Sequence, residues 1–328
     1  MSVFIRLHRR AAMLLFAATL YAAALAAEPI PLIFDTDIGN DVDDALALGI
    51  IHALESRGEA RLIAVTITKD NKYAAPYIDC VNTFYGRPDI PIGVVRNGKT
   101  PEDSPLIRVP AERRNPDGSY TYPHRITDGA NAPEAVSVLR RVLAEQKDGS
   151  VVIAQVGFST NLARLLEADP DLVKKKVRLL SIMGGAFPTG NPEYNVMTDI
   201  PAARRVFRDW PSPIVFSGFE IGVALLFPAT SIEHDFAWTP HHPVADAYVN
   251  YMKMPYDRPT WDLTAVLYAV RPDRDYFSLS QPGDVTVTDD GRTVFTPAPS
   301  ATRRYLILSE QQRPRTLEAL ILLASEPK

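Results

Sequence analysis

Ile30-Pro31-Leu32-Ile33-Phe34-Asp35-Thr36-Asp37-Ile38-Gly39-Asn40-Asp41-Val42-Asp43-Asp44 runs from an apolar stretch into five carboxylates within ten residues. A short β-branched and aromatic run reads as a buried parallel strand, and Ala45–Ile51 behind the acids reads as the helix that follows it. The acids therefore stand at the carboxyl end of a strand, where open α/β sheets bind ligands. Carboxylates this close repel one another unless a cation sits among them. Hard oxygen donors on a strand-to-helix turn suit Ca²⁺ or Mg²⁺, and the number of carboxylates favours Ca²⁺. Helix capping is the plainer alternative, because Asp is favoured at the N-cap and in the first turn. It uses one or two acids and gives no reason for Asp35 and Asp37.

Outward from this turn, strand-like runs recur at 62–67, 90–95, 151–156, 177–183 and 213–216. Helical patterns lie between them at 75–84, 132–146, 161–168 and 202–208. Alternating strands and helices with near-continuous apolar strands predict a single doubly wound α/β domain with a mostly parallel central sheet. Residues 97–128 break the pattern as a long polar, Pro-rich connection, the kind that serves as a lid or binding loop or is disordered. Residues 232–260 gather Phe236, Trp238, Tyr248, Tyr251 and Tyr256, either a satellite core or a ligand-facing patch. Asp289-Asp290-Gly291 between two β-rich runs signals a hairpin.

The first 27 residues carry Arg6, Arg9 and Arg10, an apolar stretch from Ala11 to Leu25, and small residues before Glu28. That is the three-part pattern of a secretory signal peptide, with an uncleaved anchor as the alternative. The Arg9-Arg10 pair is a weak twin-arginine signal, and export by the general route to a periplasm or the outside is the expectation. The leader holds three of the 35 basic residues and none of the 39 acids, so the remaining 301 residues (28–328) carry a formal charge of −7. Such an acidic body argues against nucleic acid or anionic membrane as a partner. Cys80 is the lone cysteine, so no internal disulfide forms despite the oxidising destination.

Three further clusters sit where strands end. Met183-Gly184-Gly185-Ala186 is followed by Gly190-Asn191-Pro192-Glu193-Tyr194-Asn195 and Asp199. Glycines let backbone approach a ligand, and Asn and Glu supply donors and acceptors for sugar hydroxyls, although an ordinary turn has the same composition. Gly157-Phe158-Ser159-Thr160-Asn161 leads from a strand into a helix, and Trp261-Asp262 places an acid at the head of an apolar helix. Taken singly, each is a helix start.

Together these clusters resemble the inosine-uridine-preferring nucleoside hydrolase family over most of residues 28–328. Asp35, Asp37, Gly39, Asp43, Asp44 and Ala45 match its N-terminal signature; Gly157, Thr160, Asn161, Leu162 and Ala163 a second; residues 183–186 a third. Gly190, Asn191, Glu193, Tyr194 and Asn195 follow in the family's order. The resemblance implies Ca²⁺-dependent hydrolysis of a nucleoside to free base and ribose. It implies that Asp37, Asp44, Asp262 and the carbonyl of Thr160 hold the ion, and that Asp37 also takes a proton from the metal-bound water. It places Asp43, Asn71, Asn191, Glu193 and Asn195 around the ribose and Asp35 in support. Members commonly form dimers or tetramers, which leaves a homo-oligomer open.

Two positions depart from the family pattern. Three residues separate Gly39 from Asp43 where the common motif has one, so Asp41 is an extra carboxylate. Trp261 stands where many members with purine activity carry a proton-donating His, and it either stacks on a base or fills the pocket. A loop histidine, His124, His241 or His242, is the alternative proton donor, and the choice of purine or pyrimidine stays open. Two other functions compete. A hydrophobic strand ending in Asp-x-Asp also begins haloacid-dehalogenase-like phosphatases, and loss of the His fits an exported, non-catalytic nucleoside- or sugar-binding protein.

Overall fold

In the computed structural model, Leu32 and Phe34 of strand β1 (Ile30–Thr36) pack into one apolar cluster, and Ile33 between them packs into another. All three are wholly buried. Side chains alternate across a strand, so β1 is covered on both faces, which is why its sequence is continuously apolar. The structure describes residues 28–188 and 190–328, and the leader expected over 1–27 lies outside them.

The strands are β1, β2 (Ala60–Lys69), β3 (Ile92–Lys99), β4 (Val151–Gln155), β5 (Val177–Met183), β6 (Ile214–Ser217), β7 (Leu226–Phe227) and β8 (Arg258–Pro259). After them come β9 (Ser278–Leu279), β10 (Gly283–Val287), β11 (Thr293–Pro297) and β12 (Arg303–Ile307). The main sheet has the order β11-β10-β12-β6-β5-β4-β1-β2-β3, with β9 against β12. Pairing is parallel from β3 across to β12, and the hairpin β10–β11 adds antiparallel strands at one edge. The domain is α/β with a mostly parallel central sheet, as the alternation of runs predicts. From β1 the chain builds β2 and β3 on one side, then crosses back to lay β4 on the other. That reversal makes the carboxyl ends of β1 and β4 the switch point, where a crevice opens.

Helices Asp43–Ser56 and Trp261–Val270 cover one face, and helices Ala135–Ala144, Thr160–Ala168 and Ile200–Asp209 cover the other. The connection over 97–128 is pinned rather than free. It contains the helix Pro105–Glu112, whose Leu106 and Ile107 are buried, and it is tied down where Asp79 accepts from the backbone N–H groups of Arg125 (2.6 Å) and Ile126 (2.8 Å). Its few apolar residues are enough to anchor it. The aromatic patch over 232–260 divides: Phe236 and Tyr248 are core, while Tyr251 reaches the crevice. Among the described residues no helix is long and apolar enough to cross a membrane.

Candidate active site

The crevice is a cavity of about 400 Å³. Asp37, Asp41, Asp43, Asp44 and Asp262 line one part of it, with Glu193 and Asn195 beside them; Phe219, Tyr251, Arg258 and Trp261 form an aromatic part. One oxygen from each of Asp43, Asp44 and Asp262 lies within 4.8 Å of the others. Those residues head two helices whose N-termini meet here. Asp43 and Asp44 open Asp43–Ser56, Asp262 is second in Trp261–Val270, and the Asp262 N–H donates to Asp43 Oδ2 at 3.1 Å. Two helix dipoles therefore point their positive ends at the cluster. Neither helix is capped by its own N-cap side chain, and of the acids only Asp43 takes a helix N-terminal N–H, that of Asp262.

Close backbone packing builds the turn. A Cβ on Gly157 would stand 2.5 Å from the Asp37 nitrogen, so only glycine lets the β4 exit lie this close to the β1 exit. Gly39 has φ +108°, a conformation L side chains rarely adopt. Thr36 donates its hydroxyl to Asp44, and Asn40 donates to Asp37 Oδ2 at 2.8 Å. Lys69 reaches past the carboxylates, its Nζ donating to Asn40 Oδ1 (2.9 Å) and to the Thr100 carbonyl (2.7 Å).

Burial is the main force on these acids. It pushes the Asp37 carboxyl up to about 7 against its hydrogen bond from Asn40, with the charges of Asp41 and Glu193 adding to the rise. Asp43, Asp44 and Asp262 are raised well above the carboxylate range by burial first and then by neighbouring charge, that of Asp41 on Asp43, of Asp37 on Asp44, and of Asp43 and Asp44 on Asp262. Desolvated carboxylates with hard oxygen donors and, among the described residues, no side-chain cation in an ion pair with them are the conditions a bound Ca²⁺ or Mg²⁺ relieves. The donor set fits the metal the sequence implies.

The other expected residues separate into two groups. Glu193 and Asn195 reach the cavity. Glu193 Oε1 accepts from the backbone N–H of Asn195 (2.8 Å), and Oε2 from those of Gly185 (3.0 Å) and Val196 (3.1 Å). Asn195 Nδ2 donates to the carbonyl of Val156 at 2.7 Å. Asn71 and Asn191 are not part of the wall. Asn71 instead donates to the carbonyls of Pro101 (3.1 Å) and Glu102 (3.0 Å), holding the end of the 97–104 segment, and Asn191 is exposed while its neighbour Pro192 faces the cavity. Thr160 is buried at a helix start with its hydroxyl on Asp199 (2.5 Å) and is not a wall residue either. Asp35 is fully buried behind the site, its Oδ1 accepting from Thr66 (2.5 Å) and Asn161 (2.9 Å). None of the five histidines among the described residues lines the cavity. His242, for one, is buried and held neutral, pushed down to about 3 by burial.

Residues 32–318 match the family model for inosine-uridine preferring nucleoside hydrolases. The chain belongs to that family. The chain is 33% identical over 204 residues to the pyrimidine-specific ribonucleoside hydrolase RihA of Klebsiella pneumoniae, and 31% over 206 residues to RihA of Escherichia coli. Each alignment covers 58% of this chain and 61% of the relative, so the match spans about three fifths of the length of these relatives. In fold it is similar to a plant nucleoside hydrolase (TM-score 0.67, 24% identity, covering 91% of this chain and 100% of that one). It is likewise similar to an inosine-uridine preferring nucleoside hydrolase from Bacillus anthracis (TM-score 0.70, 19% identity, 91% and 100%). Family membership removes the phosphatase reading, and so does geometry: Asp35, which would have to be the nucleophile, has no exposed surface.

Sequence reading missed Arg258 and Phe219. Arg258 answers the question posed by Asp41, because its Nε donates to Asp41 Oδ1 at 2.9 Å and its Nη2 to Oδ2. The extra carboxylate is thus the partner of an arginine 217 residues away and not a fourth member of the cluster. Trp261 donates its indole N–H to the Phe219 carbonyl at 2.9 Å and stacks on the Phe219 ring, centroids 5.5 Å apart. Neither residue stands in a motif. The Asp41 excess charge was the one signal that an unseen cation was needed.

Proposed function

We propose that the protein hydrolyses the N-glycosidic bond of ribonucleosides to free base and ribose, with Ca²⁺ held by Asp37, Asp44 and Asp262. The observation that carries this reading is the convergence of buried carboxylates from two helix heads in a cavity large enough for a nucleoside. When bound, the ion supplies Lewis acidity toward water and orients the sugar diol. Asp37 accepts the proton of the attacking water; one of its oxygens is fixed by Asn40, which leaves the other free for that task. Asp43 and Asn195 bind ribose hydroxyls, Asn195 through its Oδ1 because its Nδ2 is committed to Val156. Glu193 sets the main chain on which Asn195 stands. As the bond to the base breaks, positive charge develops on the sugar, and the surrounding carboxylates stabilise it. Pyrimidine nucleosides are the substrates to try first, since the relatives named above are pyrimidine-specific and the wall offers no histidine for a purine.

The test incubates the protein with uridine, cytidine, inosine and adenosine, with Ca²⁺ or with chelator, and measures free ribose. Ribose release that chelator stops, Ca²⁺ restores and Asp37→Ala abolishes supports the reading. Nucleoside binding with no ribose from any substrate would make this a binding protein instead. We also propose export by cleavage of the leader, for which N-terminal sequencing of the secreted protein should begin near Glu28.

A further inference from the structure

Of the described residues lining the cavity, Arg258 alone carries positive charge. Asp41 takes its Nε and Nη2, and Nη2 also donates to the Tyr251 hydroxyl at 3.2 Å; Nη1 has no hydrogen-bond partner among the described residues. The guanidinium lies over two rings, its carbon 5.2 Å from the Trp261 centroid and 5.1 Å from that of Tyr251. Asp41 and the two aromatic faces hold it in one place, and it stays protonated at any working pH. A planar base belongs against this aromatic part of the cavity, while the carboxylates take the sugar.

On the reading above, we propose that Arg258 binds the departing base and stabilises its negative charge, doing the work of an absent acid without giving up a proton. The C1′–N1 bond of a pyrimidine nucleoside breaks with its electron pair going to N1 and, by conjugation, to the O2 carbonyl. The free Nη1 donates to O2. The water oxygen bonds to C1′ and its proton passes to Asp37. The base anion then takes a proton from solvent, and Asp37 returns one to solvent. Arginine supplies a fixed donor where charge develops, the arrangement that lowers a barrier most in a site sheltered from water. Asp41, the family's odd residue out, is then a positioning residue that aims the guanidinium.

The experiment compares two leaving groups in the holoenzyme. Uracil is a poor leaving group and 4-nitrophenolate a good one that needs little help, so Arg258→Gln and Arg258→Ala are assayed on uridine and on 4-nitrophenyl riboside. Loss of kcat/KM on uridine is expected to be about a hundredfold or more, the scale for one lost charge-stabilising donor. Loss on the nitrophenyl substrate is expected to be less than a tenth of that. Added guanidinium should restore uridine turnover in Arg258→Ala, and tetramethylammonium at equal ionic strength should not. Arg258→Lys, which keeps the charge and the ion pair, should fall between wild type and Arg258→Gln on uridine. Equal losses on both substrates, or no rescue by guanidinium, would show that Arg258 only supports the turn and would overturn the inference. Wild-type protein that releases ribose from neither substrate would sink the hydrolase reading itself and this inference with it.

Discussion

The carboxylate side and the aromatic side of the cavity are built in opposite ways. Asp37, Asp43 and Asp44 come from one turn of eight residues, and Asp262 joins their cluster from far along the chain. Phe219 comes from one segment and Tyr251, Arg258 and Trp261 from another, and the ribbon of β7 and β8 pairs residues 226–227 with 258–259 between them. One side is dominated by charge held out of water, the other by shape and by one aimed cation. Changes on the first side should therefore break chemistry on every substrate, and changes on the second should cost activity according to which substrate is bound and how good its leaving group is.

The largest effect is expected on the carboxylate side. Asp37→Asn keeps size and burial but removes the proton acceptor, so kcat should drop about 10³-fold, within the range for a lost general base. Thermal stability in the absence of Ca²⁺ should hold or rise, because a buried charge is gone. Activity lost together with the fold would mean that Asp37 is structural.

Metal removal comes next. If the proposed Ca²⁺ offsets the repulsion among Asp43, Asp44 and Asp262, chelation should lower the unfolding midpoint and Ca²⁺ should restore it. An ion present at 100 times its Kd stabilises by about 2.7 kcal/mol. A midpoint indifferent to chelator would argue against any resident cation.

The aromatic side is sharpened by Gly222→Ala. A Cβ there would stand 2.1 Å from Trp261 Cδ1 and 2.7 Å from its Cα, so the indole or its helix has to move. The expected stability loss is about 1–3 kcal/mol, the usual result of overpacking. KM for nucleosides should rise more than kcat falls, measured by steady-state kinetics on uridine. A larger fall in kcat than rise in KM would mean that Trp261 serves the chemical step rather than substrate binding.

The smallest effect belongs to Asn71→Ala. Asn71 holds Pro101 and Glu102 and stands outside the cavity wall, so kcat/KM should change less than about threefold, as for other substitutions away from a site. A hundredfold loss would return Asn71 to the ribose, where the family resemblance places it.

Continuous apolar runs such as Leu32–Phe34 and Val151–Ala154 determined a parallel sheet covered on both faces, because nothing else buries every side chain of a strand. The acidic turn at its end determined a cation-seeking site, since repulsion between near neighbours is already present in the order of residues. The C-terminal helix Gln312–Ala324 and the strand β12 were illegible by the same logic: their burial is partial, so their patterns are weak. Only the tertiary structure decided that Asp41 pairs with Arg258, that Asn71 and Asn191 miss the cavity, and that Trp261 stacks on Phe219. Those are contacts between residues far apart in the chain, and their energy depends on distance and desolvation, which no local pattern of residues encodes.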